Sequence, residues 1–176
     1  MNKTPAKLLV LAGEKFACIK IIGRADFTSS IDFTTLVREL RQAGYGFFVL
    51  DLAECLLMDS TFLGVLAGFG LKMSGTGAEH CDQGIELLNP NARITELLES
   101  LGVLHLFKVR EGALTPAGPI EARDHVSVKA SKQEVTRACL EAHQTLMEIN
   151  PANVAKFKEV ARFLAEDLKR LKGQES

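Results

Sequence analysis

The run Phe47-Phe48-Val49-Leu50-Asp51-Leu52, followed after Ala53 to Leu57 by Met58-Asp59-Ser60-Thr61-Phe62-Leu63-Gly64-Val65-Leu66, restricts the fold more than any other part of the chain. A continuous apolar run entered through Gly44 and Gly46 predicts a buried strand. Asp59 or Ser60 then supplies an N-cap, and Leu63, Leu66, Ala67 and Leu71 recur at helical spacing, which predicts a helix from Ser60 to about Met73. Two hydroxyls, Ser60 and Thr61, thereby sit at a helix N-terminus, where unpaired N–H groups and the helix dipole favour negative charge. Two readings are open at this point: Asp59 and Ser60 only cap the helix, or the helix start receives a phosphoryl group.

The flanking segments extend this strand–helix unit. Lys7–Ala12 and Lys15–Ile22 are apolar and β-branched, with Gly13-Glu14 as a hairpin turn between them. Gly23-Arg24-Ala25-Asp26 breaks the pattern. Thr28, Ser29 or Ser30 can cap a helix whose inward positions are Phe33, Leu36, Val37 and Leu40, and Gly44 ends it. Beyond the central helix, Ser74 to Gly77 reads as a loop, Gly84–Leu88 as a strand, Asn91–Ser100 as a helix ended by Gly102, and His105–Val109 as a last strand carrying a half-buried His105. The predicted order is β-β-α-β-α-β-α-β: an α/β fold with a mixed, mostly parallel sheet of four to five strands covered by helices. Strand–helix–strand units in such a sheet cross over right-handed. Gly64 and Gly68 each weaken the central helix by about 1 kcal/mol relative to Ala. They imply either close helix–sheet packing or a flat face on which a partner lies.

Residues 1–112 form the predicted α/β domain and 113–130 a linker, punctuated by Pro116, Gly118 and Pro119, with an extended segment at Val126 to Val128. Residues 131–176 form a two-helix extension. Ser131 and Glu134 make a capping box for the first helix, whose stripe is Val135, Ala138, Cys139, Ala142, Leu146 and Met147. Asn150-Pro151 restarts the second, whose stripe is Val154, Phe157, Val160, Ala161, Leu164, Leu168 and Leu171. Such stripes bury themselves on the sheet domain, on each other, or in a homodimer.

A formal net charge of −1 over 176 residues points to no broad nucleic-acid or membrane footprint and leaves local patches open. The apolar run Leu8 to Ala12 is too short for a membrane span, so direct membrane insertion is not expected, and without a signal peptide the expected location is cytoplasmic. Cys18, Cys55, Cys81 and Cys139 form no C-x-x-C pair; Cys18 and Cys55 read as buried free thiols, and His80-Cys81-Asp82 lacks the second ligand pair a metal needs. No cofactor motif and no catalytic constellation is evident, so an enzyme is not expected.

Met58 to Leu66 after Val49-Leu50-Asp51-Leu52 resembles the signature of STAS domains, the family of anti-sigma factor antagonists and of the related domains of anion transporters. Gly23-Arg24-Ala25-Asp26 is similar to that family's Gly-x-x-Asp turn. Asn89-Pro90-Asn91 through Leu98, Leu101-Gly102-Val103 and Leu106-Phe107 resembles its third helix and last strand. The resemblance covers about residues 6–112 and implies a non-enzymatic regulatory binding protein. It implies that Ser60 is phosphorylated, with Thr61 a second phosphosite, and that Asp26, Asp59, Ser60, Thr61, Phe62, Leu63 and Gly64 meet the partner. The implied partners are a serine-kinase anti-sigma factor, which the unphosphorylated antagonist binds, and a PP2C-type phosphatase, which restores the antagonist. The alternative is a STAS accessory subunit of a transporter or other signalling complex without phospho-switching. Phe62 departs from the family's usual Gly; an aromatic on an exposed first turn implies a hydrophobic anchor for the partner.

Overall fold

The alternation of Ala17, Ile19 and Ile21 with Cys18 and Lys20 sends successive side chains to opposite faces of a sheet, and that sheet organises the rest of the chain. A computed structural model describes residues 6–13, 16–74, 84–113, 121–124 and 129–174. Strands β1 (Lys7–Ala12), β2 (Ala17–Ala25), β3 (Phe47–Asp51), β4 (Cys55–Met58), β5 (Gly84–Leu88), β6 (Lys108–Arg110) and β7 (Glu121–Asp124) are joined with helices α1 (Phe27–Gln42), α2 (Ser60–Ser74), α3 (Ala92–Ser100), α4 (Lys132–Ile149) and α5 (Asn153–Gly173). The sheet runs β6-β5-β3-β2-β1-β7, with β4 pairing β2 off that path. The pairs β2–β3, β2–β4, β3–β5 and β5–β6 are parallel; β1 is antiparallel to both β2 and β7.

The predicted α/β class and the mostly parallel sheet are observed, but among the described residues the sheet has seven strands where four to five are expected. Two of them come from segments read as connections. Cys55–Met58 is too short to show alternation, and it forms β4 because β2 is longer than expected. Gly23, at φ +95°, and a register shift between Gly23 and Arg24 carry β2 on to Ala25 instead of breaking it, so its first part pairs β3 and its last part β4. The second is β7, which lies in the segment read as a linker and pairs with β1 at the sheet edge; the extended segment expected at 126–128, like Glu14, His80 and Cys81, lies outside the described residues. The last strand is Lys108–Arg110, preceded by a 3-10 turn at Leu104–Leu106 on which His105 is exposed, not half-buried.

One face of the sheet carries the main core. Ile19, Ile21, Phe48, Leu50 and Leu87 meet Phe33, Leu36 and Val37 of α1, Phe62, Leu63 and Leu66 of α2, and Ile94 and Leu98 of α3. Among the described residues the opposite face carries a small cluster of Cys18, Val49 and Leu88. Cys18 and Cys55 are free and buried, as expected; burial pushes both thiols up to about 11, aided at Cys18 by the nearby Asp51 carboxylate, so neither is a thiolate near neutral pH.

The expected capping box opens α4, with Ser131 and Glu134 bonding reciprocally. Asn150 ends it: its side chain accepts from Ala152 N at 3.1 Å, and α5 starts at Asn153 after the Pro151-Ala152 turn. The two helices pair with each other, and α4 also packs on α2 and α1. Leu146 of α4 joins the main core, and the fully buried Asn153 donates to the carbonyls of Leu101 and Leu146, both at 2.9 Å. In the stripe read for α5, Val154 and Val160 are exposed while Phe157, Ala161, Leu164, Leu168 and Leu171 turn inward.

Candidate functional site

The parallel pairing of β2 with β4 sets Ala25 opposite Met58, so both strands end at the same level and each is followed by an aspartate. Asp26 Oδ1 accepts from Thr28 N and Ser29 N at 3.0 Å and from Ser29 Oγ at 3.1 Å; it, rather than Thr28, Ser29 or Ser30, is the N-cap of α1. Asp59 Oδ1 accepts from Phe62 N at 2.8 Å, and Asp59 N donates to Ala25 O at 2.9 Å. Two helices therefore begin side by side, each closed by a carboxylate that satisfies otherwise unpaired N–H groups.

Burial raises the Asp59 carboxyl above its ordinary 3.8, the hydrogen bond from Phe62 N opposes the shift, and the charge of Asp26 adds to it. Between the ordinary and the raised value the folded state holds more protons than the unfolded one, so this group makes stability fall as pH rises through that window. Asp59→Asn keeps the cap acceptor and removes the charge. It is expected to be at least as stable as wild type at about pH 7 and to lose that relative advantage near about pH 3, read by urea unfolding; Asp59→Ala, without the acceptor, is expected to lose about 1 kcal/mol at either pH.

Ser60 occupies the first turn of α2 and is half-buried under α4. Its Oγ lies 2.9 Å from His143 Nε2, and His143 Nδ1 lies 2.6 Å from the Cys139 carbonyl. A carbonyl can only accept, so Nδ1 carries the proton; in the neutral ring Nε2 is then the acceptor and the Ser60 hydroxyl donates to it. The ring is buried and meets Phe157 edge-on at 5.1 Å. Thr61 is buried too; the pKa of the nearby Cys139 thiol is raised chiefly by burial, with the Thr61 side chain opposing the shift and the charge of Asp59 adding to it.

The predicted site residues separate into two sets. Ser60, Thr61 and Gly64 face α4. A Cβ built on Gly64 would stand 2.4 Å from the Ala142 carbonyl oxygen, and one on Gly68 would meet Thr145 Cγ2 at 3.7 Å. Gly64 therefore serves helix–helix approach within the chain, not helix–sheet packing, whereas a methyl group at Gly68 would make only an ordinary contact with α4. Phe62 and Leu63 point the other way. Phe62 is 0 % exposed and its ring centroid is 5.1 Å from that of Phe33. The expectation of an exposed aromatic anchor is corrected: the ring belongs to the core, because the Asp59 cap turns position 62 toward the sheet. Leu71, expected inward, is 48 % exposed, the buried side of α2 being carried by Phe62, Leu66, Phe69 and Met73.

His143 was not expected. It falls four residues after Cys139 and three before Leu146, inside the apolar stripe of α4, and a histidine there signals a buried polar contact. Its partner, 83 residues earlier, follows only from the docking of α4. A groove of about 400 Å³ runs between α1, α2 and α4, lined in part by Gly64, Val65, Gly68, Phe69, Arg38 and Lys72; Ser60 and His143 are not among its walls. Among the described residues, His, Cys, Asp and Glu form no cluster of three that could hold a metal, and no helix is long and apolar enough to cross a membrane.

No protein-family model and no curated protein matches the sequence of the chain. Among solved structures, one described as the anti-sigma factor antagonist SpoIIAA in its unphosphorylated form is similar to it with a TM-score of 0.46 and 15% sequence identity, over 62% of this chain and 90% of that one.

Proposed function

We propose that this chain is a regulatory binding protein of the STAS type, an anti-sigma factor antagonist whose partner is a serine-kinase anti-sigma factor and whose switch is phosphorylation of Ser60. The observation that carries the reading is the Asp59-capped start of α2, with the Ser60 hydroxyl on its first turn beside the Asp26-capped start of α1. The kinase moves the γ-phosphoryl of ATP to Ser60: the Oγ–P bond forms, the bond from phosphorus to the bridging oxygen breaks as ADP leaves, and the hydroxyl proton passes to a base of the kinase. The phosphate brings about −1.5 to −2 charge to a helix N-terminus, where the dipole tolerates it, so the fold survives. Beside Asp26 and Asp59 the same charge makes the surface strongly negative, and a partner packed on this helix start is expelled by bulk and repulsion. A PP2C-type phosphatase reverses the change. Thr61, being buried, is the poorer phospho-acceptor of the two.

The test pairs phosphosite mapping of the native protein with partner binding. Phosphate on Ser60 is expected; Ser60→Asp is expected to weaken binding to the serine kinase by about tenfold or more, and Ser60→Ala to bind constitutively. Equal affinity of wild type and both variants for that kinase overturns the reading.

A further inference from the structure

The side of α2 that carries Ser60 is already occupied by a helix of the same chain. Ser60 Oγ is bonded to His143, and Gly64 lies against the Ala142 carbonyl. The His143 ring cannot retreat, since it is buried with Phe157 against it and its Nδ1 is tied to the Cys139 carbonyl. A tetrahedral phosphate on Ser60 Oγ therefore has no room while α4 is seated. A kinase likewise finds the hydroxyl half-buried under α4 and engaged by His143. Yet the seat is not filled like a core: the groove of about 400 Å³ opens between α4 and the α1–α2 pair, and α5, whose outer face carries the exposed Val154, Val160 and Phe163, packs mainly on α4.

From the Ser60–His143 hydrogen bond and the Gly64–Ala142 contact we infer that the α4–α5 hairpin is an intramolecular lid over the Ser60 face, and that phosphate on Ser60 and the closed lid exclude each other. This rests on the reading of Ser60 as the phosphosite. Phosphorylation requires the open lid, and by reciprocity of coupled equilibria the phosphate holds it open. Two consequences follow. The unphosphorylated chain presents its binding face only in the fraction of time the lid is open, which lowers its apparent affinity for the kinase by that fraction. The phosphorylated chain keeps its phosphate exposed to a phosphatase instead of burying it.

The test is hydrogen exchange on the full-length chain, comparing amides of α4 with those of β3 and β5. Gly64→Ala is a wedge: it improves the intrinsic helix propensity of α2 while its methyl group collides with backbone of α4. Ser60→Asp supplies the charge and bulk without a kinase. Each is expected to speed exchange in α4 by about tenfold or more and to leave β3 and β5 at wild-type rates. Unchanged exchange in α4 in either variant overturns the lid, as does equal acceleration of α4 and the strands, which would make α4 an inseparable part of the core. The two proposals fail separately. A lid that opens in both variants, with Ser60 never phosphorylated, leaves the lid standing and removes the phospho-switch. Phosphate on Ser60, with α4 as protected as in wild type, does the reverse.

Discussion

Phe62→Ala is expected to lower the free energy of unfolding by about 3–5 kcal/mol, the range for removing a buried aromatic ring from a core. The ring is fully buried at one end of a line of aromatic contacts in which Phe33 is the middle: Phe33 lies 5.1 Å from Phe62 and 6.0 Å from Phe69, the second pair nearly perpendicular. Removing it forfeits apolar burial and leaves a cavity beneath α1, α2 and the sheet, whose positions the β2–β4 pairing and the two aspartate caps hold apart, so the site collapses poorly. Phe62→Gly, the residue usual in STAS antagonists, should cost about 1 kcal/mol more through lost helix propensity. Equilibrium urea unfolding followed by circular dichroism measures both. A loss below about 1 kcal/mol for Phe62→Ala would place the ring outside the core.

How far the sequence disclosed this arrangement depended on the range of the interaction. Local signals carried well. An apolar, β-branched run gave β1, alternation within the second such run gave the buried face of β2, the Ser131–Glu134 box gave the start of α4, and the spacing of Phe33, Leu36, Val37 and Leu40 gave the inner face of α1. Ser60 and Asp59 were legible as a helix start because capping is a local exchange between a side chain and N–H groups two or three residues on. What the sequence concealed was direction around α2. Apolar residues occur on nearly every side of that helix, since it lies between the sheet and α4, so periodicity could not say that Phe62 points to the core and Leu71 to solvent. β4 was hidden for a related reason: a four-residue strand has too few positions to show a period, and its pairing depends on the bend at Gly23. The Ser60–His143 contact spans 83 residues and exists only because two helices dock; Gly64 announced a close approach without naming what approaches.

Leu146→Ala separates the two sides of α2 energetically. Leu146 is fully buried and is the α4 residue that enters the main core, with Ile149 and Phe157 packed around the same cluster. In a uniformly cooperative fold its truncation would cost about 2–5 kcal/mol everywhere at once. With α4 and α5 acting as a lid, the loss has a ceiling. Once truncation costs more than seating the hairpin is worth, the hairpin detaches, and the sheet with α1, α2 and α3 keeps whatever stability it has alone. The expected result is therefore asymmetric. Exchange in α4 accelerates strongly in Leu146→Ala while β3 and β5 lose less protection than they do in Phe62→Ala, although both side chains are equally inaccessible to water in the closed chain. Matching losses of protection in the strands would show that α4 shares the cooperative unit of the sheet, and Ser60 would then be reachable only through global unfolding. A smaller loss in the strands means that Ser60 becomes accessible at the lower free energy of opening the hairpin, which is the condition a reversible phosphorylation under a folded helix must meet.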